Sequence, residues 1–241
     1  MNPVIIVTGS AKRIGKAILN YFHQNNYNVV VHANTSLEDA ENLSNDLNNQ
    51  RSDSAILVTG DLQKIEICKQ LVTKAVEKWG RLDALVNNAS IFFPTKLSDI
   101  TESDWNRIVN INVKACLFLS KFSAPYLKKT QGSIINMTDI YAGAPKKNHS
   151  VYCLSKAALH SLTLSLAQEL APDIRVNAIA PGPALSSNID GEISSHVDIS
   201  KTLLSTEHIV NDIVSAAYFF AKSKAITGQV ISVDAGKTLS Y

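Results

Sequence analysis

The sequence predicts a single α/β domain, a doubly wound parallel sheet of about seven strands between two helical layers, three layers in all. Three observations carry this expectation. Short Val- and Ile-rich runs alternate with longer amphipathic stretches along the whole chain, the order that parallel strands with right-handed crossovers require. The runs show little polar alternation, so both of their faces should be buried. The length of 241 residues is long for one domain and short for two, and no low-complexity stretch or linker divides it.

Composition narrows the class. Hydrophobic residues make up 45% of the chain and charged residues 18%, the balance of a globular protein with a sizeable core. A formal net charge of +2 gives no reason to expect nucleic acid or an anionic membrane as a partner. Cys68, Cys116 and Cys153 have neither paired nor metal-like spacing, which fits a reducing compartment and leaves no metal site expected. The opening run Pro3–Val7 lacks a basic leader pattern, and no apolar run reaches membrane-spanning length. A soluble cytoplasmic protein is therefore expected.

The first strand, Val4–Thr8, runs into Thr8-Gly9-Ser10-Ala11-Lys12-Arg13-Ile14-Gly15 and the helix Lys12–Asn25. A helix that starts behind a strand aims backbone N–H groups at an anion such as a pyrophosphate. Gly9 permits the tight turn and Gly15 close helix–strand packing. A dinucleotide fingerprint has a middle glycine near position 13. Arg13 stands there instead, and its charge can meet cofactor phosphate or substrate. An ordinary turn with exposed Lys12 and Arg13 fits the same residues.

The second strand, Asn28–His32, continues into Ala33-Asn34-Thr35-Ser36 ahead of the helix Leu37–Asn49. No acidic side chain precedes Glu38 to grip a ribose 2′-hydroxyl. His32, Asn34, Thr35 and Ser36 can hydrogen-bond a 2′-phosphate, which favours NADP over NAD. Thr35 and Glu38 also have the spacing of a helix capping box. The third strand, Ala55–Thr59, ends in Gly60-Asp61-Leu62. Asp61 can cap the helix Lys64–Trp79 or accept from an adenine amino group.

The fourth strand, Ala84–Asn87, leads to Asn88-Ala89-Ser90-Ile91-Phe92-Phe93-Pro94-Thr95. Asn88 and Ala89 are small enough for a ribose and nicotinamide to pass close. Ser90 and Phe92 follow where a substrate would sit, and Pro94 with its polar neighbours marks a loop. A long helical pattern, Glu102–Lys128, contains the polar Asn112, which either faces solvent or acts as a buried hydrogen-bonding relay.

The fifth strand, Ser133–Met137, ends in Thr138-Asp139. In the following helix, Ser150–Leu170, Tyr152 and Lys156 lie four apart and project from one face. An ammonium beside a phenol favours the phenolate, so Lys156 is expected to lower the pKa of Tyr152 and suit it to proton transfer. Asp139 and Tyr152 are expected to face one pocket, and Cys153 to be packed away. The remaining elements are the strands Arg175–Ile179 and Gln229–Val233 and the helix His208–Lys222, with Ala180-Pro181-Gly182 after the sixth strand.

Over its whole length the chain resembles the short-chain dehydrogenase/reductase family. The resemblance rests on Thr8–Gly15, Asn87–Ala89, Asn112, Tyr152 with Lys156, and Ala180-Pro181-Gly182 together. Most of that family has a serine thirteen positions before the tyrosine; here the residue is Asp139. This departure, the arginine-bearing first turn, and Phe92 as a pterin-stacking aromatic resemble the pteridine reductase branch. The bacterial dihydromonapterin or dihydrofolate reductase group is the most similar part of it. That branch carries an arginine where Thr35 stands in its parasite members, so phosphate recognition would fall to His32, Asn34, Ser36 or Arg13.

The resemblance implies a Rossmann-like fold, one NADP-binding domain over residues 1–241, and a substrate-covering segment at about 183–205 that holds Asn188, Asp190, Glu192 and His196. It implies reduction of a reduced pterin by NADPH, with dihydromonapterin, dihydrobiopterin and dihydrofolate as candidates. Catalysis would involve Asp139, Tyr152, Lys156 and Asn112. The cofactor would contact Gly9, Ser10, Lys12, Arg13, Ile14, His32, Asn34, Thr35, Ser36, Asp61, Leu62, Asn88, Ala89, Ser90, Tyr152, Lys156, Pro181 and Gly182. Substrate would contact Arg13, Ser90, Phe92, Asp139 and Tyr152. Pairing of the two long helices, Glu102–Lys128 and Ser150–Leu170, with the last strand implies a homotetramer. Two rivals stand beside this reading. One is a carbonyl reductase of the 3-oxoacyl carrier-protein type, which Asp139 opposes. The other is a non-catalytic nucleotide-binding regulator, which the intact Tyr152/Lys156 pair and Asn112 oppose.

Overall fold

The computed structural model describes residues 1–182, 202–206 and 209–240. Its strands are β1 (Val4–Val7), β2 (Asn28–Ala33), β3 (Ala55–Thr59), β4 (Ala84–Asn87), β5 (Ser133–Met137), β6 (Arg175–Pro181) and β7 (Val230–Val233). All pair in parallel in one sheet of order β3-β2-β1-β4-β5-β6-β7. The helices are α1 (Arg13–Gln24), α2 (Leu37–Gln50), α3 (Ile65–Trp79), α4 (Glu102–Val109), α5 (Ala115–Thr130), α6 (Ser150–Glu169) and α7 (Ile209–Lys222).

Alternation along β1 shows how the layers form. Its four residues are fully buried. Ile5 and Val7 join a core with Ile18 and Phe22 of α1, Leu43 of α2 and Phe220 of α7. Val4 and Ile6 join the core on the other face, with Leu71 of α3, Leu127 of α5 and Leu166 of α6. Successive side chains of a strand point to opposite faces, so one central strand serves both cores. β1 lies between β2 and β4, where the strand order reverses, and the ligand crevice of such a sheet opens at that point.

Two local expectations are corrected. The capping box expected at Thr35 and Glu38 does not form: α2 starts at Leu37, and no side chain caps it at Ser36. A capping box forms instead at α4, where Thr101 accepts from the Asp104 backbone and Asp104 accepts from that of Thr101. The long helix expected over Glu102–Lys128 is interrupted by a π-helical turn, Asn110–Lys114, that contains Asn112. Such turns are frequent at functional sites. Of the segment expected to cover the substrate, residues 183–201, with Asn188, Asp190, Glu192 and His196, lie outside the described residues, as does Tyr241. Among the described residues no helix is long and apolar enough to cross a membrane.

Candidate active site

The carboxyl ends of the central strands open into one cleft of about 780 Å³, the size of a small-ligand site. The structure places the expected site residues along it, from the turn after β1 to Pro181 at the end of β6 and Gly182 after it, with two exceptions, Ser10 and Asn112.

Hydrogen bonds between strand ends fix the floor. The Thr8 hydroxyl accepts from the N–H groups of Asn88 and Ala89, at 3.0 and 2.9 Å. The Asn88 amide returns two bonds, to the carbonyls of Thr8 and Gly9. Gly9 has φ +62°, and a Cβ there would stand 3.1 Å from Ala89 Cα. A Cβ on Gly15 would stand 2.5 Å from the Gly9 carbonyl oxygen, so helix and turn meet only because it is glycine. Arg13 has φ +55°, the left-handed conformation that glycine adopts freely. The fingerprint's middle position thus keeps its backbone shape and gains a cation.

The His32 ring departs from the expected role in phosphate binding, and the Ser10 hydroxyl from the expected cofactor contact. His32 is buried; its Nδ1 accepts from the Gly9 N–H and its Nε2 donates to the Gly60 carbonyl, both at 3.0 Å. Burial lowers its pKa to about 4, against smaller opposing effects of the Gly60 bond and Asp61. Both ring nitrogens are used and the ring is neutral, so it clamps two loops rather than offering a donor to phosphate. Ser10 is likewise buried, with its hydroxyl accepting from the His32 N–H. Lys12 lines the cleft and pairs with Asp39 at 2.7 Å. Asp61 accepts from the backbone and side-chain nitrogens of Gln63, and α3 is preceded by Lys64, so Asp61 does not cap that helix. A glycine cradle, the cations Lys12 and Arg13, and polar Asn34, Thr35 and Ser36 fit a dinucleotide with a 2′-phosphate.

Deeper in the cleft, the Tyr152 hydroxyl donates to Asp139 Oδ2 at 2.6 Å. The other carboxylate oxygen of Asp139 accepts from the Tyr141 N–H at 2.9 Å, which fixes its orientation. Lys156, one helical turn beyond Tyr152, is buried and donates to the Met137 carbonyl at 2.8 Å. Its ammonium lies 5.7 Å from the centre of the Tyr152 ring. The expected lowering of the Tyr152 pKa does not occur. Burial, then the Asp139 charge and hydrogen bond, raise it well above the ordinary phenol value. Burial also raises Asp139, opposed by its bonds from Tyr152 and Tyr141 and by the charges of Lys156 and Lys146. Burial lowers Lys156, with Asp139 opposing. The three groups titrate as a set in which the phenol keeps its proton.

Asn112 is fully buried and forms the relay arm rather than a cleft wall. Its oxygen accepts from the Ile91 N–H, and its amide donates to the Ile91 carbonyl and to Ser155 Oγ on α6. The π turn thereby ties the loop after β4 to the helix that carries Tyr152.

Phe92 faces the cleft but already has neighbours. His149 stacks on it at 4.6 Å with an interplanar angle of 18°, and Tyr152 meets it edge-on at 4.7 Å. His149 and the Lys146 ammonium both lie over this ring, so a substrate ring that stacks on Phe92 must displace one of them. Sequence reasoning missed Tyr141, Lys146 and Arg107, which also line this end. Lys146 and Arg107 are exposed residues in a turn and on an amphipathic helix, where no pattern sets one charge apart from another.

Comparison with known proteins follows the same lines. Residues 3–198 match the family model described as short chain dehydrogenase. The chain is 32% identical to pteridine reductase 1 of Leishmania tarentolae, over 99% of this chain and 97% of that one. It is 31% identical to a 3-oxoacyl-[acyl-carrier-protein] reductase of Thermotoga maritima, over 97% and 96%. A crystal structure of FolM alternative dihydrofolate reductase 1 from Brucella canis, complexed with NADP, superposes with a TM-score of 0.89 at 34% identity. That match covers 100% of this chain and 96% of the other.

Proposed function

This chain belongs to the short-chain dehydrogenase family, and from that premise we propose that it reduces a dihydropterin to the tetrahydro form with NADPH. It is an NADP-dependent oxidoreductase; the pterin is the proposed part. The carrying observation is the 2.6 Å hydrogen bond from Tyr152 to Asp139, beside the cleft-facing ring of Phe92. The pteridine reductase and the alternative dihydrofolate reductase among its relatives support the same substrate class.

When bound, NADPH supplies the hydride, delivered to an imine carbon of the pterin ring. The residues of this chain supply position and the proton. Tyr152 stays un-ionised because burial and Asp139 hold its pKa up, so it serves as a donor rather than a phenolate. Asp139 accepts the phenol's hydrogen bond, and its raised pKa suits it to take up a proton from solvent and pass it to the phenol once the phenol has given its own to substrate. Lys156 lines the cleft with a buried charge beside this pair and is suited to hold the nicotinamide ribose. Phe92 lines the cleft and supplies the aromatic ring on which a pterin would stack. Three buried free cysteines are consistent with a reducing cytoplasmic setting.

The relationship to 3-oxoacyl reductases keeps carbonyl reduction as the rival. Asp139 is a poor partner for a substrate carbonyl, because both of its oxygens are already engaged as acceptors, from the Tyr152 hydroxyl and the Tyr141 N–H. A panel of dihydropterins and 3-oxoacyl thioesters, assayed by NADPH oxidation, separates the two. Turnover of thioesters without pterins would replace this proposal. We also propose a homotetramer, since Leu117 of α5 and Leu154 and Leu164 of α6 expose 41%, 47% and 47% of their surface on two largely apolar helices.

A further inference from the structure

The substrate end of the cleft holds two cations that the hydride and proton chemistry does not use. Lys146, in the turn between β5 and α6, places Nζ 5.0 Å from the centre of the Phe92 ring and 5.5 Å from that of Tyr141. Arg107 of α4 holds its guanidinium 5.4 Å from the centre of the next ring, Phe93. Both line the cleft, and neither has an ion-pair partner among the described residues. The other cations of the cleft have their own work. Lys12 and Arg13 lie at the turn that fits phosphates, and Lys156 is bonded beside Asp139.

An aromatic face attracts a cation only through its quadrupole, whereas a carboxylate brings a full charge and directed hydrogen bonds. Lys146 and Arg107 therefore have more to gain from an anionic ligand than from the rings they now cover. A neutral polyhydroxyalkyl tail offers them no charge. The two cations lie over Phe92 and Phe93, adjacent residues of the loop after β4, and both line the end of the cleft that holds Tyr152 and Asp139.

We propose that Lys146 and Arg107 recognise an anionic substituent, and that the dihydropterin reduced here carries a carboxylate-bearing tail rather than a neutral polyol. This rests on the pterin reading above and selects within it. The test uses the full chain with NADPH and two substrates: dihydrofolate, whose tail bears carboxylates, and dihydrobiopterin, whose tail is neutral. The readout is the ratio of their kcat/KM values. Lys146 also acts electrostatically on Asp139, and a ratio removes any effect common to both substrates.

Wild type should favour dihydrofolate, and the preference should weaken as salt rises. Lys146→Gln should lower the ratio about tenfold, and Arg107→Gln in the same direction, the scale of one lost charge-assisted hydrogen bond. Lys146→Arg should restore it. Turnover of both substrates with a ratio that neither substitution moves would overturn this inference alone. Absence of turnover with either pterin would overturn the pterin reading and this one with it.

Discussion

Tyr152 and Asp139 lie thirteen residues apart in the chain and 2.6 Å apart in the cleft, joined by a hydrogen bond from the phenol to the carboxylate. The bond couples two groups that burial has pushed the same way, each toward its protonated form. A phenol that keeps its proton and a carboxyl that gains one more easily make a donor and its reservoir.

Replacing Tyr152 by Phe removes the donor and leaves most of the packing. NADPH affinity should survive, and kcat should fall by about two orders of magnitude, the usual scale for a lost general acid. Fluorescence titration and steady-state rates check the two halves. A variant that kept wild-type kcat would show that the proton comes from elsewhere.

Asp139 also sets a pH dependence of stability. Burial raises its pKa in the folded state above the ordinary carboxylate value. The folded protein thus holds this proton more tightly than the unfolded chain. The stability this confers is full below the unfolded value and lost as pH rises through the folded one. Asparagine cannot ionise. Melting of Asp139→Asn relative to wild type should therefore improve as pH rises from 4 to 8. Calorimetry showing a constant difference across that range would contradict the raised pKa.

Cofactor choice should follow Lys12. NADPH should bind more tightly than NADH, since no acidic side chain of β2 or the turn after it meets the 2′-position. Lys12→Gln removes the cation that now pairs with Asp39, and the preference should shrink about tenfold. Equal dissociation constants for the two cofactors in wild type would refute the assignment of this wall.

Phe92→Ala should raise KM for the dihydropterin about tenfold and KM for NADPH far less, because stacking area is lost on the substrate side alone. kcat should fall as well, since the same ring packs against Tyr152. Initial-rate measurements with each substrate varied in turn test this. An unchanged pterin KM would remove Phe92 from the substrate site.

Assembly can be read directly. Light scattering at micromolar concentration should give four times the chain mass of 26.2 kDa. A stable dimer would leave the α5 and α6 surfaces as an interface and remove only a contact through β7. A single monomeric species would show that the exposed leucines of α5 and α6 meet no second copy.

The strand and helix order was legible in the sequence because periodicity is a property of neighbours along the chain. Tyr152 and Lys156 share a face for the same reason: one helical turn fixes their relation wherever the helix lies. Asp139 stood out against the family pattern at its fixed spacing. Gly9 and Gly15 could be read as tight positions, and the structure names the atoms that make them so.

The tertiary structure decided what those residues do. His32 looked like a phosphate donor until the fold brought Gly9 and Gly60, 23 and 28 residues away, to its two nitrogens. Asn112 became a relay because a π turn aimed it at Ile91 and at Ser155, 43 residues on. The Tyr152 pKa moved opposite to the local expectation, since the depth of burial and the 2.6 Å approach of Asp139 outweigh an ammonium turned toward Met137. Lys146 and Arg107 reached one cleft from a turn and a helix that no pattern in the chain connects. Local geometry follows from covalent neighbours, whereas desolvation and charge interactions depend on which distant segments pack around a group, and the fold alone decides that.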